Sequence, residues 1–541
     1  MRIRRLISVS GCVSVPVLIV GAGPVGLAVA VEFERWGVPF SLIDRAVGWE
    51  ETTRAITVHA RVQEWLAWIG EIDAFMEHGR VHRSMDYLFA ESDKTARLDF
   101  TGLTNTRFPH VLMSNQNQTE AILRRRLAAR GQLVRWGTRL ISVVPDPDGG
   151  GVTATLALPD GRIEEVHAEY VIGCDGAHST VRRELGLEFA GTEYAGRTRM
   201  ADAVVRGLPL DDDRLHYLVA KTGMLMITEL PGGRSRLVFS EPGEATAAAS
   251  VDVAAIHRDL QTVFDKWFPG RVTLEAPAWA TEFKQYRRQS ADYRRGRIFL
   301  AGDASNVRSI AGGMGLNCGM LDAINLAWKL AAVLTGKAHP SLLDSYERER
   351  VPADAQVMAV AAQLHAILMD HQTPVTQRIA LVEDAGFQTS VTNLISGLGY
   401  TYRDVIPTPA GARVLAGLTA GDRAPDVGIN ARIGIHDMLD HPNYTLLTVH
   451  RRARSVWETQ ALVRQMRQHF GDRVRSVSVC PPDTQLAPTG TVFSDTNHVH
   501  DLYGSADSDV ACLIRPDGYL AGRVCLADSG TLLADLGTVL I

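Results

Sequence analysis

Three glycines near the start of the chain have the spacing needed to hold a dinucleotide. Gly21, Gly23 and Gly26 form a G-x-G-x-x-G pattern between an apolar, β-branched run at 15–20 and a helix-like apolar run. The first glycine permits a tight turn, the second lets the backbone approach a pyrophosphate, and the third lets helix and strand pack closely. Asp44, 18 residues beyond Gly26, can accept a hydrogen bond from the ribose. The loop therefore predicts a dinucleotide site, without separating NAD from FAD.

Two later turns place a glycine beside an acid, each after a strand-like run. Asp175-Gly176 precedes a short helix-like segment. Gly302-Asp303 is followed by a glycine-rich stretch and a long helix, with apolar residues at helical spacing, within 312–334. Both turns are typical of flavin-binding chains.

With these motifs in this order, the chain resembles a single-component, FAD-dependent aromatic hydroxylase, a group A flavoprotein monooxygenase with the para-hydroxybenzoate hydroxylase fold. Arg54 in Thr-Arg-Ala-Ile and Gln116 in Ser-Asn-Gln-Asn-Gln-Thr-Glu extend the match, since both positions contact the flavin in that family. The resemblance covers about residues 15–380. It implies an α/β fold, in which a mixed β-sheet substrate domain is inserted into a Rossmann-like FAD-binding domain.

The resemblance also implies which residues hold the cofactor. Asp44 binds the ribose, where the family more often has Glu, and Asp303 binds the ribityl chain. Backbone groups of Gly315, Leu316 and Asn317 face the pyrimidine edge of the isoalloxazine, where N–H donors opening a helix favour the reduced anion. The implied set is Gly21, Gly23, Pro24, Val25, Gly26, Asp44, Arg45, Arg54, Gln116, Asp175, Gly302, Asp303, Gly313, Gly315, Leu316 and Asn317.

Carried over from the family, the reaction consumes NADPH or NADH and O2. The nicotinamide reduces FAD, O2 forms a C4a-hydroperoxyflavin, and one oxygen atom passes to a phenolic or other aromatic substrate. Two alternatives stay open: Baeyer–Villiger insertion or epoxidation on a polyketide-like substrate, and a flavin-binding sensor or scaffold without enzymatic activity. A flavin halogenase is disfavoured because the motif W-x-W-x-I-P is absent from the sequence.

Nothing in the sequence provides a second, resident site for the nicotinamide. No further G-x-G-x-x-G loop and no C-x-x-x-x-C pair occur, which argues against a disulfide reductase. The resemblance implies that NAD(P)H docks transiently in a surface groove near Asp175. Arg45 and Arg182 are the candidate phosphate contacts.

The segment after Gly302-Asp303 departs from the family pattern. The usual His, Pro and Gln are Asn306, Ile310 and Met314 here. Ile310 places a branched side chain beside the expected flavin C4a and frees a backbone N–H, and Arg308 adds a charge nearby. Neutral drift, adaptation to an unusual substrate, and poor hydroxylation are the three interpretations. Ile310 and Arg308 are therefore candidate catalytic-site residues.

The segments 81–111 and 191–284 read as strands with turns, and the resemblance implies that they form a sheet over the substrate side of the flavin. Alternation and aromatic content give the pocket candidates His216, Tyr217, Met224, Met226, Trp279 and Phe283. His216 or Tyr217 is the candidate catalytic base for a phenol, since an ordinary histidine pKa suits that task.

The chain divides into two parts by pattern. The FAD-binding domain is expected at 1–400, discontinuous over about 15–80, 112–190 and 285–395, with the substrate domain at 81–111 and 191–284. From 401 to 541, alternating strand-like and helix-like runs predict a small α/β domain. Its Ala424-Pro425 and Arg515-Pro-Asp-Gly-Tyr519 resemble the thioredoxin-like C-terminal domain of longer phenol and polyketide hydroxylases. Because C-x-x-C is absent, packing or dimer contacts are expected rather than redox work.

Composition and charge limit the classes of binding partner and the cellular setting that are expected. The 541 residues carry a net charge of −5, which disfavours nucleic acid and anionic membrane surfaces. Six scattered cysteines match neither a disulfide framework nor a metal site, so a reduced, cytoplasmic setting without metal is expected. Residues 1–14 are interpreted as an extension before the first strand rather than a signal peptide, and an uninterrupted apolar run of about 18 residues is absent. The expected partners are a small aromatic substrate and O2, with a homodimer as an option.

Overall fold

The computed structural model of this chain describes most of its residues. The described ranges are 8–9, 12–49, 55–92, 94–242, 252–277, 279–370, 372–451, 455–481, 491–494, 498–505 and 508–540. Arg54, one of the residues implied to hold FAD, lies outside these ranges.

A nine-stranded sheet carries the glycine turns at the carboxyl ends of its parallel strands. Its strands, in sheet order, are Arg139–Pro145, Val152–Ala157, Ile163–Gly173, Cys12–Val20, Phe40–Ile43 and Val134–Arg135, with Ser8–Val9, Arg294–Arg295 and Ile298–Leu300 joining beside this path. Leu18 and Val20 pack into one apolar cluster, whereas Val17 and Ile19 pack into another. Burial on both faces explains why the first strand reads as a continuous apolar run.

Helices cover this sheet and extend the core. Pro24–Trp36 and Gly315–Leu334 pack against each other, so the two ends of the predicted cofactor site are built on adjacent helices. The remaining helices of the first 400 residues are Ala60–Trp68, Ile72–His78, Gln116–Ala129, Thr180–Glu184, Val253–Trp267, Asp344–Met369, Val375–Glu383 and Ala385–Ile395, with short 3-10 turns at Gly302–Ala304 and Pro340–Leu343.

A seven-stranded sheet is formed by the two segments that the sequence predicts to be strands. Its order is Trp279–Phe283, Arg197–Ala203, Arg234–Glu241, Gly223–Leu230, Arg214–Ala220, Ser84–Phe89 and Thr95–Asp99. Its two faces have different partners. Tyr217 and Met226 lie opposite each other and belong to the main core, whereas Leu218 and Ile227 pack with the helix Val253–Trp267.

Three small sheets join the larger ones. Phe189–Glu193, Tyr286–Ser290 and Asn306–Val307 form one, Thr57–Val58, Val111–Met113 and Arg80–His82 form another, and Val205–Arg206 pairs with Thr273–Leu274. The first of them is important for the site, because it ties loop 302–314 to the strands that flank the seven-stranded sheet. The fold class expected for the flavin and substrate portions is therefore confirmed, while the domain boundaries stay a prediction.

The last part of the chain contains a five-stranded sheet. Its order is Thr491–Phe493, Val474–Cys480, Tyr444–Val449, Val510–Ile514 and Leu520–Cys525, the first three parallel and the last two antiparallel. Helices Ser455–Glu458, Gln460–Phe470, His498–Tyr503 and Gly530–Val539 and the short turns His436–Met438, Gly471–Arg473 and Leu526–Asp528 accompany it. The α/β alternation predicted here is present, and its thioredoxin-like character stays a prediction.

One helical stretch in the described part of the chain, Pro340–Met369, is long and apolar enough to cross a membrane by length and composition alone. Half of its apolar window is buried, and its Arg350 and Asp354 form a fully buried ion pair. These features are typical of a core helix. Five cysteines in the described ranges are free and buried. The cytoplasmic setting stays a prediction.

Candidate functional site

The glycine loop lies where the parallel strands end. Gly21, at φ +103°, donates its N–H to the Ile43 carbonyl oxygen at 2.9 Å. A Cβ on Gly26 would lie 1.9 Å from the Gly21 carbonyl oxygen, so only glycine lets the helix begin this close to the turn. At Gly23, by contrast, a Cβ would have no atom within 4 Å, which leaves open space beside the loop. The three glycines therefore have two roles: close packing inside the protein and access from outside.

The helix Pro24–Trp36 presents free donors at this space. Pro24 occupies its first turn, and Gly23 caps it without a side-chain hydrogen bond, so the early N–H groups of Val25 and Gly26 lack intrahelical acceptors. A cavity of about 600 Å³ opens here, a size typical of a ligand site. Of the residues implied to hold FAD, Gly21, Gly23, Asp44, Arg45, Gln116 and Asp175 line it.

Asp44 and Gln116 are fixed by the backbone around the cavity. Asp44 accepts the N–H groups of Ala22 at 2.7 Å and Ala46 at 2.8 Å. Gln116 accepts the N–H of Ala55 at 3.3 Å and donates to Glu120 at 2.9 Å. Both side chains are thus held at the cavity wall, and carboxylate and amide oxygens retain acceptor capacity for hydroxyl groups of a ligand.

Asp175 lines the same cavity and organises the next helix. Its carboxylate accepts the Ser179 hydroxyl at 2.5 Å and the Thr180 N–H at 2.6 Å, capping the helix Thr180–Glu184. Arg182 is not free to bind a phosphate, contrary to the sequence prediction. Its guanidinium donates to the carbonyl oxygens of Ala304 and Ala177, each at 2.7 Å, and the side chain is buried.

The far end of the site is the segment that begins at Gly302 and Asp303. Gly302 packs against Val25, where a Cβ would meet the valine side chain at 2.8 Å, so this segment and the glycine loop are in contact. Asp303 is exposed at this point. The segment runs on to the helix Gly315–Leu334, whose N-cap Met314 offers no side-chain hydrogen bond. The N–H groups of its first turn therefore have no intrahelical acceptor, as the predicted isoalloxazine site requires.

The turn at Gly312 and Gly313 is held by side chains on the chain after strand Phe40–Ile43. The Thr57 hydroxyl donates to the Gly313 carbonyl oxygen at 2.6 Å, and the His59 Nε2 lies 2.9 Å from the Gly312 carbonyl oxygen. Asn317 closes the arrangement, donating to Gly313 at 3.0 Å and accepting the His59 N–H at 2.7 Å. The Asn317 side chain thus positions the turn, beside the cofactor role implied for its backbone.

Burial lowers the pKa of His59 to about 4, against the raising effect of the Gly312 and Gly313 carbonyls. The ring is therefore neutral, and the Gly312 carbonyl requires that Nε2 carry the proton. The sequence analysis missed Thr57 and His59. Their position just after Arg54-Ala-Ile is the one feature that could have singled them out.

Ile310 and Ser309 are tied to the seven-stranded sheet through Gln285, a residue that the sequence analysis also missed. The Gln285 Oε1 accepts the Ile310 N–H at 3.2 Å and the Ser309 hydroxyl at 3.1 Å. Its Nε2 donates to the Thr198 hydroxyl at 2.9 Å. The backbone N–H that isoleucine frees in place of proline therefore has a partner, and this departure adds an anchor for the loop.

The other departures face inward. Asn306 donates to Tyr293 at 2.9 Å and to Asp354 at 3.0 Å, both buried. Arg308 lies 3.9 Å from Asp354 with its side chain 3 % exposed, and two of its nitrogens have no hydrogen-bond partner in the described part of the chain. Met314 is buried in the main core. Arg308 thus lies in an ionic cluster beneath the loop, and its catalytic role stays a prediction.

The two candidate bases lie on opposite faces of the seven-stranded sheet. Tyr217 faces loop 302–314, because its hydroxyl receives a hydrogen bond from the Gly312 backbone. His216 pairs with Ile227 on the face that carries the helix Val253–Trp267, and its Nε2 bonds to the Asp211 carbonyl at 2.8 Å. The expectation that His216 lines the substrate pocket is therefore wrong. Alternation along a strand decides this, since neighbouring residues cannot share a face.

Tyr217 has an aromatic partner on the same face. Its ring stacks on Tyr87 with centroids 5.0 Å apart. Burial raises the pKa of Tyr217 to about 12, against the lowering effect of the Gly312 backbone, and raises the pKa of Tyr87 well above its ordinary value. Both hydroxyls are therefore protonated donors near neutral pH. The Tyr87 hydroxyl is buried with no hydrogen-bond partner in the described structure.

The other pocket candidates share this face. Met224 and Met226 are buried in the main core, and Trp279 and Phe283 pack against it together with Ile310 and Leu316. Across the described residues, no cluster of three or more His, Cys, Asp or Glu side chains has the arrangement of a metal site.

Comparison with known proteins relates this geometry to a family. Residues 14–361 match the family model described as FAD binding domain. The chain is 35% identical over 520 residues to pentachlorophenol 4-monooxygenase of Sphingobium chlorophenolicum, covering 96% of this chain and 95% of that protein. It is 32% identical over 545 residues to 6-methylpretetramide 4-monooxygenase of Streptomyces rimosus, covering 96% and 92%.

A solved structure agrees along nearly the whole chain. It is a ternary complex of aklavinone-11 hydroxylase with FAD and aklavinone, 28% identical, with a TM-score of 0.75. The match covers 96% of this chain and 98% of that one.

Proposed function

We propose, from the premise that this chain belongs to the FAD binding domain family and is an FAD-dependent aromatic monooxygenase, that it hydroxylates an apolar phenol using O2 and NADPH or NADH. The observation that carries this proposal is the convergence of Tyr217, His59 and the open N-terminus of helix Gly315–Leu334 on the turn at Gly312. One side of that turn supplies donors for a flavin, and the other supplies a donor for a substrate.

The residues fit FAD by the space and donors that they provide. The open position at Gly23 and the free donors of helix Pro24–Trp36 suit the pyrophosphate, and Asp44 suits the ribose. When bound, FAD accepts hydride from the nicotinamide and activates O2. The free N–H groups of Gly315, Leu316 and Asn317 would hold the pyrimidine edge of the isoalloxazine, because a helix N-terminus favours an anion.

Tyr217 holds the substrate rather than deprotonating it. With a pKa raised to about 12 by burial, its hydroxyl stays protonated and donates a hydrogen bond to the oxygen of a bound phenol or phenolate. The Tyr87 hydroxyl, buried and unpartnered in the described structure, provides a second donor. Two donors favour the ionised phenol, whose electron-rich ring is the better acceptor of an oxygen atom.

The nicotinamide approaches over a basic surface beside loop 302–314. Arg183 and Arg287 are exposed, Arg288 is partly exposed, and none of them has an acidic partner among the described residues. Burial lowers the pKa of Arg182 and the nearby charges of Arg183 and Arg288 lower it further, so the positive charges lie close together. Unbalanced arginines suit a pyrophosphate, and Arg288 pairs across strands with Val307 of the loop.

The substrate class follows from the lining and the relatives. Met226 lies opposite Tyr217 in the sheet, Met224 is buried in the same core, and Trp279 and Phe283 pack against that core. The names of the two relatives specify pentachlorophenol and 6-methylpretetramide as their substrates. We assign this chain an apolar phenol of one or several rings, in place of a charged benzoate.

The C-terminal part is proposed to be thioredoxin-like without redox activity. Three parallel strands followed by an antiparallel pair and a final helix support this assignment, and none of the described cysteines lies near another in sequence. The boundaries 1–400 and 401–541 belong to the same proposal.

The test measures the mass of the product and its content of 18O. The FAD-loaded protein is incubated with NADPH or NADH under 18O2 and a panel of chlorophenols and polycyclic phenols. Substrate-stimulated NAD(P)H oxidation and a product that gains one 18O atom on a ring carbon support the proposal. A lactone or epoxide by NMR favours the Baeyer–Villiger or epoxidation alternative, and oxidation that yields only hydrogen peroxide with every phenol contradicts the proposal.

A further inference from the structure

A turn in the C-terminal part is buried against the helices that carry the flavin site. Residues 515–519, Arg-Pro-Asp-Gly-Tyr, connect the strands Val510–Ile514 and Leu520–Cys525. Such a hairpin turn is ordinarily a surface feature. Here Arg515, Asp517 and Tyr519 are all at most 5 % exposed. A buried, charged turn requires partners, and those that bond to the side chains of Arg515 and Asp517 come from the first 400 residues or from the turn itself.

Arg515 makes the strongest of these contacts. Its two terminal nitrogens donate to the two carboxylate oxygens of Glu349, each at 2.8 Å, and its Nε donates to Asp517 at 2.9 Å. Lys329 and Asn325, from helix Gly315–Leu334, donate to the same Glu349 at 2.8 Å and 2.7 Å. Although burial opposes it, Arg515 and Lys329 hold the pKa of Glu349 well below its ordinary range. The cluster is fork-like and fully paired, the arrangement that makes a buried ion pair specific.

The tip of the turn lies against helix Ala60–Trp68. A Cβ on Gly518 would meet the Trp68 ring at 2.6 Å and an Arg61 nitrogen at 2.8 Å. Arg61 donates to the Asp517 carbonyl oxygen and lies between the rings of Trp68, at 4.8 Å, and Tyr519, at 5.6 Å. Arg61 lies two residues after His59, whose ring bonds to the Gly312 carbonyl oxygen. The turn 515–519 therefore contacts helix Ala60–Trp68, and the residue that precedes this helix, His59, holds the turn at Gly312.

A second connection passes through helix Asp344–Met369. One residue after Glu349, Arg350 donates to Asp322 at 2.7 Å, and Asp322 accepts the Gly302 N–H at 3.0 Å. One helical turn further along, Asp354 accepts from Asn306 at 3.0 Å. The first part of loop 302–314 is thus bonded to the helix that Arg515 contacts, directly at Asn306 and through Asp322 at Gly302.

We propose that the 515–519 turn is a positioning element for the flavin: Arg515 fixes helix Asp344–Met369, and Gly518 fixes helix Ala60–Trp68, so that loop 302–314 is held in its FAD-binding form. This inference rests on the proposed placement of the isoalloxazine at Gly312–Asn317. It gives the C-terminal part a role in cofactor retention, where the sequence suggests only packing or dimer contacts. None of residues 515–519 lines the cavity at the glycine loop, so the turn acts through the helices that it contacts.

The first experiment compares Arg515→Gln and Arg515→Lys with Arg475→Gln. Arg475 is the matched control, because it pairs with Asp440 at 3.3 Å in the same part of the chain while both side chains are more than half exposed. FAD dissociation constants are measured by flavin fluorescence on the apoprotein, together with the melting temperature with and without FAD. We expect Arg515→Gln to weaken FAD binding at least tenfold, Arg515→Lys about threefold, and Arg475→Gln less than twofold.

The FAD-induced rise in melting temperature separates positioning from simple stabilisation. A positioning role shrinks this rise and increases the hydrogen peroxide released per NADPH in the holoenzyme. A purely structural role lowers the melting temperatures of apoprotein and holoprotein equally, with unchanged FAD affinity, and this result overturns the proposal. If Arg515→Gln does not fold, Arg515→Lys decides, and an unchanged dissociation constant for it overturns the proposal.

A double-mutant cycle tests the path from Arg515 to the loop. Asn306→Ala removes the bond between the loop and Asp354, and it is combined with Arg515→Lys. Residues that act through one network are non-additive. We expect the double variant to bind FAD no more weakly than the weaker-binding single variant, which is up to about threefold tighter than the product of the two single effects predicts. Additivity contradicts the proposed path. The measurements of FAD affinity need no phenol. If the enzyme hydroxylates no phenol, the proposed function is contradicted, but the effect of Arg515 on FAD binding can still be determined.

Discussion

The Nε2 atom of His59 lies 2.9 Å from the carbonyl oxygen of Gly312, a residue 253 positions later in the chain. The Gly312 backbone also bonds to Tyr217 of the seven-stranded sheet. One glycine is therefore the meeting point of the helix before the flavin site and the sheet over the substrate. Loop 302–314 has little freedom to move independently of either.

Replacing His59 by leucine is expected to loosen this turn. The variant loses a buried hydrogen bond of about 1 kcal/mol and leaves the Gly312 carbonyl without a partner, which costs about 1–3 kcal/mol. We expect FAD to bind about ten- to thirtyfold more weakly, with more hydrogen peroxide released per NADPH. His78→Leu is the matched control, since its Nδ1 makes a bond of equal length to the Ala74 carbonyl on another helix. Equal effects of the two variants on FAD affinity would falsify the assignment.

Tyr217 and its neighbour His216 provide an internal comparison. Tyr217→Phe removes the proposed donor to the substrate oxygen and is expected to lower kcat/KM about ten- to 150-fold, the value of a hydrogen bond of about 1.5–3 kcal/mol to a charged group. His216→Gln, on the opposite face of the same strand, is expected to change kcat/KM less than threefold. The measurement is steady-state product formation with one phenol at several pH values. A Tyr217→Phe enzyme with wild-type kcat/KM contradicts the assignment.

Alanine substitutions at two glycines of the dinucleotide loop are expected to differ in their effects on stability and on FAD affinity. Gly23→Ala adds a Cβ into open space, so the apoprotein is expected to melt at the wild-type temperature while FAD binding weakens at least a hundredfold. Gly26→Ala places a Cβ 1.9 Å from the Gly21 carbonyl oxygen and is expected to destabilise the apoprotein itself. Calorimetry of both apoproteins, followed by FAD titration, separates the two. Identical melting losses would show that the space at Gly23 is not reserved for the cofactor.

Mild acid is expected to destabilise the protein through its buried histidines, which together outweigh the opposite contribution of Asp322, whose pKa burial raises to about 7. Burial lowers the pKa of His59 to about 4 from 6.5, so between these pH values the unfolded chain binds a proton that the folded chain excludes. Stability therefore falls as the pH falls through this window, by about 2 kcal/mol at pH 5 for His59 alone. The pKa values of His365 and His450 are lowered to about 4 in the same way.

Urea unfolding at pH 7.5 and pH 5 measures this dependence. The depressed pKa of Glu349 contributes its own loss only below about pH 4.5, outside the window. His59→Gln is expected to reduce the loss of unfolding free energy between pH 7.5 and pH 5 by about 2 kcal/mol, the contribution of this one histidine. A midpoint that does not change between pH 7.5 and 5 would mean that these rings are solvated in the folded state.

The sequence predicted the elements whose evidence is local. The dinucleotide loop follows from a strand, three spaced glycines and a helix within thirty residues, all of which can be seen in one window. The fold class followed because three such windows occur in a fixed order. The extra N–H at Ile310 was also visible, since proline and isoleucine differ in the backbone itself.

The remaining site residues could not be predicted because their evidence is the pairing of distant segments. Gln285 is an ordinary polar residue until the fold brings it to Ile310, and Thr57 until it meets Gly313. His216 and Tyr217 were equivalent in the sequence, because a strand's face is set by its register with the next strand. Arg182 looked free for a phosphate because the carbonyls that it bonds, Ala177 and Ala304, include one 122 residues away.

The distance along the chain between Arg515 and Glu349 has a consequence for synthesis. The two residues are separated by 166 positions, so at ribosomal rates of 5–20 residues per second Glu349 and Lys329 emerge about ten to thirty seconds before their partner. During that interval a carboxylate and an ammonium destined for the interior remain in water. The flavin segments of the nascent chain therefore cannot reach their final packing early, and FAD loading is expected to follow release of the polypeptide rather than accompany its elongation.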